Sequence, residues 1–281
     1  MNKVERHERI LRLASERGMI YLQRAAETTG ASLPTLRRDF SELAASGAVE
    51  RIRGGIRSSK KEGNIPFNLR EVQHSDAKSA IARKACALLR SGDVVFVDGG
   101  TTTYHICFHL PRTPLRIITN SLRLSAYLDS ATNVYPDWEI YLTGGKIQYG
   151  SNMLTGPGTL HSLDFYHADW AFLSVGGITS DGLYNTSEVI VETERRMIDR
   201  CDRAVILADQ SKSGKRAMCR VCGLGRIDRL ITNPPPGTSQ VEKAMRKEGL
   251  RIVHAGDENK SLGVNSKKQN HGRGTCLSPD R

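Results

Sequence analysis

Ser32-Leu33-Pro34-Thr35-Leu36-Arg37-Arg38-Asp39-Phe40 is the stretch that orders the rest of the chain. Ser32 can cap a helix, and Pro34 falls in its first turn, where a missing N–H costs little. Leu36, Phe40 and Leu43 then recur at i, i+4 and i+7, which makes one buried stripe. At about 100° per residue Arg38 lies almost opposite that stripe, with Thr35 and Glu42 beside it. Arg37 and Asp39 fall on the flanks. A short helix with one apolar stripe and an Arg-centred outer face fits the major groove of double-stranded DNA. We assign Arg38 to base edges, where it can donate two hydrogen bonds to guanine, with Thr35 at a neighbouring position. Arg37 is assigned to phosphate, although either arginine can clamp phosphate without reading sequence.

Working outward, residues 4–17 carry Ile10, Leu11, Leu13 and Ala14 on one helical face, and Gly18 ends that segment. A second helix runs from Tyr21-Leu22 to about Thr29. Beyond the quoted stretch, Val49 to Ile56 reads as a small hairpin with glycines near its turn. It brings Arg51, Arg53 and Arg57 next to the Arg-bearing helix, where a projecting wing can reach the backbone or the minor groove. Residues 1–57 are therefore expected to form a winged helix-turn-helix. For any single arginine, a solvated charged surface is the competing reading; the combination favours DNA.

The net charge of +11 is unevenly placed. Residues 1–60 hold a surplus of five positive charges, residues 61–258 only two, and residues 259–281 four. A small polyanion-binding module attached to a nearly neutral body fits this distribution. Apolar runs such as Val94-Val95-Phe96-Val97 are strand-sized, and the first residues have no secretory character, so a cytoplasmic protein without a membrane span is expected. Of six cysteines, only Cys219-Arg220-Val221-Cys222 has ligand-like spacing. No second pair follows closely, so no metal is expected and the thiols are read as reduced.

Residues 58–74 are polar and read as a linker. From 75 to 255 helical segments alternate with short apolar strands, the pattern of an α/β domain with a mostly parallel sheet. Residues 256–281 are polar and basic and are expected to be disordered. Within the body, strand 93–97 delivers Asp98 to the carboxyl edge of the sheet, followed by Gly99-Gly100-Thr101-Thr102-Thr103. Glycines permit close backbone approach, and a following helix start offers N–H groups to an anion. Comparable junctions recur at Thr119-Asn120-Ser121, Gly144-Gly145-Lys146, Gly176-Gly177 before Asp181-Gly182, and Asp209-Gln210-Ser211-Lys212. Carboxylates for hydroxyl groups, with amides and Lys146 or Lys212 for a phosphate, suit a phosphorylated sugar or polyol. The segment is neither Gly-x-Gly-x-x-Gly nor a Walker A loop, so no nucleotide cofactor is expected.

Both regions carry a resemblance. Ser32 to Phe40 with Leu43, Gly47 and Arg53-Gly54-Gly55 resembles the signature of DeoR-type bacterial transcriptional regulators, in which this helix is the recognition helix and the glycine segment belongs to the wing. Lys78-Ser79-Ala80-Ile81-Ala82, Asp98 to Thr103, Thr119-Asn120-Ser121, Gly144-Gly145, Asp181-Gly182 and Ala208 to Gly214 resemble the effector domain of the same family, related to ribose-5-phosphate isomerase. The likeness spans roughly residues 3–255. It implies an operator-binding homo-oligomer, most simply a repressor of a sugar or polyol catabolic operon, released by a phosphorylated sugar.

It also implies DNA contacts from Ser32, Thr35, Arg37, Arg38, Arg51, Arg53 and Arg57. Effector contacts are implied for Asp98, Gly100, Thr101, Thr102, Thr103, Asn120, Asp181, Asp209 and Lys212. Asp39 would orient a neighbouring arginine or meet a helix end. Two departures bear on specificity: Gly99 stands where the family usually has Ser, and Ser187-Glu188-Val189-Ile190-Val191-Glu192 stands where it often has an Asn and paired Glu residues, with Glu192 the candidate for a family acidic position. An isomerase-like enzyme using Asp98 or Asp181 with Lys212, and an architectural DNA-binding protein without effector, are the competing readings. A free-standing enzyme has no use for a wing and recognition helix.

Overall fold

The computed structural model describes residues 1–45, 49–58, 67–131, 137–148, 150–233 and 240–256. Gly47 and the tail from residue 257 lie outside the described residues. Helix α1, Lys3–Arg17, starts with a reciprocal cap, the Glu5 amide donating to Asn2 Oδ1 (2.9 Å) and the Asn2 amide to Glu5 Oε2 (3.1 Å). Strand β1 (Met19–Tyr21), helices α2 (Leu22–Thr29) and α3 (Leu33–Ala45), and strands β2 (Val49–Ile52) and β3 (Gly55–Ser58) follow. Ile10, Leu36 and Phe40 from the helices and Ile20 and Ile56 from the strands are fully enclosed in one core.

The three strands form an antiparallel sheet in the order β1-β3-β2. Strand β1 was not anticipated, because three residues are too short to show alternation. The glycine pair explains the wing. Gly54 has φ of 76°, the left-handed conformation the turn needs, while a Cβ on Gly55 would collide with the Ile20 carbonyl of β1.

The body opens with α4 (Phe67–Val72), inside the stretch expected to be linker. Phe67 explains it: its ring is buried edge-on to Tyr104 (5.7 Å between centroids) under the Arg123 guanidinium (4.9 Å). Then come α5 (Ser75–Cys86), β4 (Val94–Val97), α6 (Thr101–Tyr104), β5 (Leu115–Thr119), α7 (Leu122–Ala131) and β6 (Trp138–Leu142). A hairpin of β7 (Lys146–Gln148) and β8 (Met153–Thr155) precedes α8 (Pro157–Asp164) and β9 (Ala168–Leu173). The chain continues through β10 (Gly177–Thr179), β11 (Gly182–Asn185), α9 (Glu188–Asp199), β12 (Cys201–Leu207), β13 (Cys219–Cys222), β14 (Arg229–Thr232), α10 (Gln240–Lys247) and β15 (Arg251–His254).

Seven strands form one parallel sheet in the order β15-β14-β12-β9-β4-β5-β6, the α/β class expected. Alternate residues serve opposite faces. Phe96, Ile118, Leu173 and Ile206 pack with Leu163, Val191 and Met197 on one side, while Val95, Val97, Ile117 and Phe172 pack with Ile81, Ile106 and Leu128 on the other. From β4 the chain builds toward β6 and then returns to place β9 on the other flank of β4. The gap between β4 and β9 is thus the switch point of the sheet, where ligands of open α/β sheets bind. The β7–β8 hairpin and a small antiparallel sheet, β10-β11-β13, lie outside it.

Candidate DNA interface and sensor site

On α3, Leu36, Phe40 and Leu43 are buried and Arg37 and Arg38 are exposed, as the periodicity requires. Ser32 caps the helix loosely: its hydroxyl bonds the Thr35 hydroxyl (2.8 Å) and accepts from the Thr35 amide (3.5 Å). The three wing arginines divide. Arg51 reaches back to α3, donating to the Arg37 carbonyl (3.3 Å) and Ser41 Oγ (2.9 Å), so it braces the helix. Arg57 pairs with Glu50 (2.5 Å). Arg53 stands at the wing turn, and Arg53, Arg37 and Arg38 have no side-chain partner among the described residues.

Asp39 departs from its expected flank position and is buried. It accepts from Arg6 Nε (2.6 Å) and Nη2 (3.2 Å) and lies 3.0 Å from His7 Nε2, all from α1. The arginine it orients is therefore neither of its neighbours in sequence. Burial alone would raise the Asp39 pKa, but the bonds from Arg6 and His7 outweigh it and hold the carboxyl below its ordinary value. His7, Asp39 and Glu42 bring possible metal-ligand atoms within 4.8 Å of one another. Arg6 and Lys3 already engage the two carboxylates, so this is an ion-pair cluster that clamps α1 to the recognition helix.

At the switch point Asp98 is buried, and its Oδ2 accepts from Ser174 Oγ (3.1 Å) and the Ser174 amide (3.4 Å) across the β4–β9 gap. A Cβ on Gly100 would strike Ser174 Oγ, so glycine there makes room for this link. A Cβ on Gly99 would strike Met153 of β8, which fills the space that the family Ser would enter. Asn120 is buried next door, because Val97 and Thr119 are register partners. Its Nδ2 donates to the Leu154 carbonyl (3.2 Å), and its backbone carbonyl accepts from the Leu154 amide (2.7 Å), which fastens the β7–β8 hairpin over the site. Thr101 and Thr102 are buried at the start of α6, whereas the Thr103 hydroxyl is spent on the Gly100 carbonyl (2.9 Å).

Asp209, also buried, caps the turn Gln210–Lys212 through the Ser211 amide (2.9 Å). Burial opposes its charge, yet Ser211, Lys212 and His74 hold its pKa below the ordinary value. Asp181 is different. It is exposed on the β10–β11 turn, bonded to Thr179, Tyr184 and Arg216, none of which touches Asp98. Lys146 is exposed at the start of β7.

Sequence reasoning missed three groups. Glu194 is fully buried on α9, with Oε1 accepting from Asn185 Nδ2 (2.5 Å), while Glu192 is exposed. The signal was an acid on the stripe of Ile190, Met197 and Ile198. Ser174 had no local signal, since its role depends on β9 lying beside β4. Lys78 of α5 is buried and donates to the carbonyls of Arg70 and Glu71 at the end of α4.

A helix-turn-helix with a wing, joined to a parallel-sheet body with a polar switch point, defines a DNA-binding regulator with a sensor domain. Residues 6–62 match the DeoR-like helix-turn-helix domain and residues 73–234 the DeoR C terminal sensor domain. The chain belongs to the DeoR family of transcriptional regulators. It is 31% identical over 251 residues to the uncharacterized HTH-type transcriptional regulator YulB of Bacillus subtilis, covering 89% of this chain and 95% of that one. It is 30% identical to the glycerol-3-phosphate regulon repressor of Escherichia coli, covering 86% and 95% respectively. UlaR of Shigella dysenteriae is 30% identical, at 90% and 100% coverage. Among solved structures, ribose 5-phosphate isomerase A of Methanocaldococcus jannaschii matches half of the chain and 55% of its own at 17% identity, with a TM-score of 0.36, too distant to argue from.

Proposed function

We propose that the chain is a cytoplasmic, homo-oligomeric repressor of a sugar or polyol catabolic operon that a phosphorylated sugar or polyol releases from its operator. The observation that carries the DNA reading is the set of exposed guanidinium groups without a side-chain partner among the described residues, Arg37, Arg38 and Arg53, on the helix and the adjoining wing turn. Arg38 is assigned to base edges and Arg37 and Arg53 to the backbone, with Thr35 and Ser32 alongside. Arg51 and Arg57 support the helix and wing, and contact DNA only by giving up present bonds. One recognition helix reads few base pairs, so a symmetric pair would read two half-sites. Among the described residues no helix is long and apolar enough to cross a membrane.

In the sensor, Asp98, Thr101, Thr102, Asn120 and Asp209 are assigned to ligand hydroxyl groups and Lys212 to the phosphate end. Gly100 and Thr103 shape the site, and Asp181 is assigned no contact. The names of the relatives support regulation over catalysis, since the isomerase-like reading gives no role to α3 and the wing. An anisotropy titration of the chain's own upstream DNA, challenged with sugar and polyol phosphates, tests the proposal. Release by a phosphorylated member and not by its unphosphorylated counterpart is expected. Salt-sensitive binding that no phosphate ester alters would sink the sensor reading, and turnover of the ester would favour an enzyme.

A further inference from the structure

Asp98 and Glu194 place two carboxyl groups together inside the body, and neither forms an ion pair among the described residues. Each has one oxygen in use, Asp98 Oδ2 on Ser174 and Glu194 Oε1 on Asn185. The other oxygens, Asp98 Oδ1 and Glu194 Oε2, are buried without a hydrogen-bond partner, and so is Asn120 Oδ1. Asp98 and Asn120 follow register-paired residues of β4 and β5 at the switch point, while Glu194 is bonded to Asn185, which lies against Gly176 just beyond β9, two residues from Ser174, the partner of Asp98. Burial raises both carboxyl pKa values above ordinary, and the neighbouring charge adds to the rise at Glu194. Unpaired buried acceptors are rare and costly, and here two of them, on Asp98 and Asn120, sit side by side at the switch point.

Once the two carboxyl groups are ionised, all three of these oxygens accept and need a donor. A hydroxyl group brings one donor and no charge, whereas an ammonium group brings three donors and the positive charge that two carboxylates lack. We propose that Glu194 is a second acidic effector-binding residue, and that Asp98, Asn120 and Glu194 together receive the ammonium group of an amino-sugar phosphate. This rests on the sensor reading above and narrows it to one ligand class.

Calorimetry on the full chain tests it, with glucosamine, galactosamine and mannosamine 6-phosphates set against glucose, galactose and mannose 6-phosphates, and Mg2+ alone as a further titrant. At least one amino sugar phosphate is expected to bind about tenfold or more tightly than its hydroxyl counterpart, because the ammonium group brings three donors and a charge where the hydroxyl brings one donor and no charge. Glu194→Gln should narrow that preference to within about threefold, with a thermal melt confirming that the variant is folded. Should the variant not fold, the preference of the wild-type chain alone decides the matter. A wild-type chain that binds the hydroxyl sugars as tightly as the amino sugars overturns the proposal and leaves the sensor reading standing. So does saturation by Mg2+ alone, or a folded Glu194→Gln variant that keeps the preference. If no phosphate ester binds, both fall.

Discussion

Asp39 shows how one buried charge serves DNA binding without touching DNA. Its carboxylate joins α3 to α1 through Arg6 and His7, and removing it leaves Arg6 partly buried without a counter-ion. Losing one partner of such a pair costs about 3 kcal/mol, so Asp39→Ala should lower unfolding free energy by roughly that amount in a denaturant titration. The folded pKa is depressed, so this contribution is present above the ordinary carboxylate value of about 4 and is lost as pH falls through the folded value. Asp39→Asn should therefore flatten the acid limb of the stability profile. At the DNA surface, Arg38→Ala should cost about 1–3 kcal/mol of operator affinity and relax selectivity at one position, whereas Arg37→Ala should weaken all sequences alike and lower the salt slope by about 1. If the two variants behave identically in anisotropy titrations, the division between base and phosphate is wrong.

Elements carry the coupling. Lys78 fastens α5 to the carbonyl end of α4, the first body helix after the N-terminal domain, and also lies in the field of Asp209 and Lys212. Burial pushes its ammonium pKa down to about 7 from 10.5, with Asp209 opposing the shift. Between those values the unfolded chain holds the extra proton, so stability should rise with pH across that window. Lys78→Met should lack this rise in thermal melts at pH 7 and 9. It should also blunt effector-driven release of operator, because α4 loses its tie to α5; full release would argue against that route. The β7–β8 hairpin meets β4 through Met153 over Gly99. Gly99→Ala should cost about 1–3 kcal/mol by overpacking, and the same substitution should cost less in a Met153→Ala background than in the wild-type chain. The helical periodicity that revealed α3 and the apolar run that revealed β4 could not reveal β1, β7, β10 or β11. Those strands have three or four residues, and β11 is held by β13 from far along the chain.

For the whole molecule, the proposal divides labour between a basic N-terminal domain and a nearly neutral body. Lys212→Ala should raise the effector concentration needed for operator release and leave operator affinity without effector close to wild type. Arg38→Ala should do the reverse. Release requires the effector to bind the operator-free form more tightly than the bound form, so operator DNA should weaken effector affinity by the same factor. Calorimetry with and without operator measures that factor; unchanged affinity would show the two sites to be uncoupled.

Sequence by itself determined the recognition helix, its Arg37–Arg38 face, the glycine wing and the parallel-sheet body, because each is written in local periodicity and turn chemistry. It also placed Asp98, Asn120 and Asp209 at strand ends. Only the tertiary structure decided what those groups meet. Asp39 turns inward because Arg6 approaches from another helix, and Asp181 stays outside on its own hairpin. Glu194 is buried because α9 packs its apolar stripe on the sheet face that carries Phe96 and Leu173. These outcomes depend on pairings between distant segments, and local sequence carries no record of which element will supply the opposite charge.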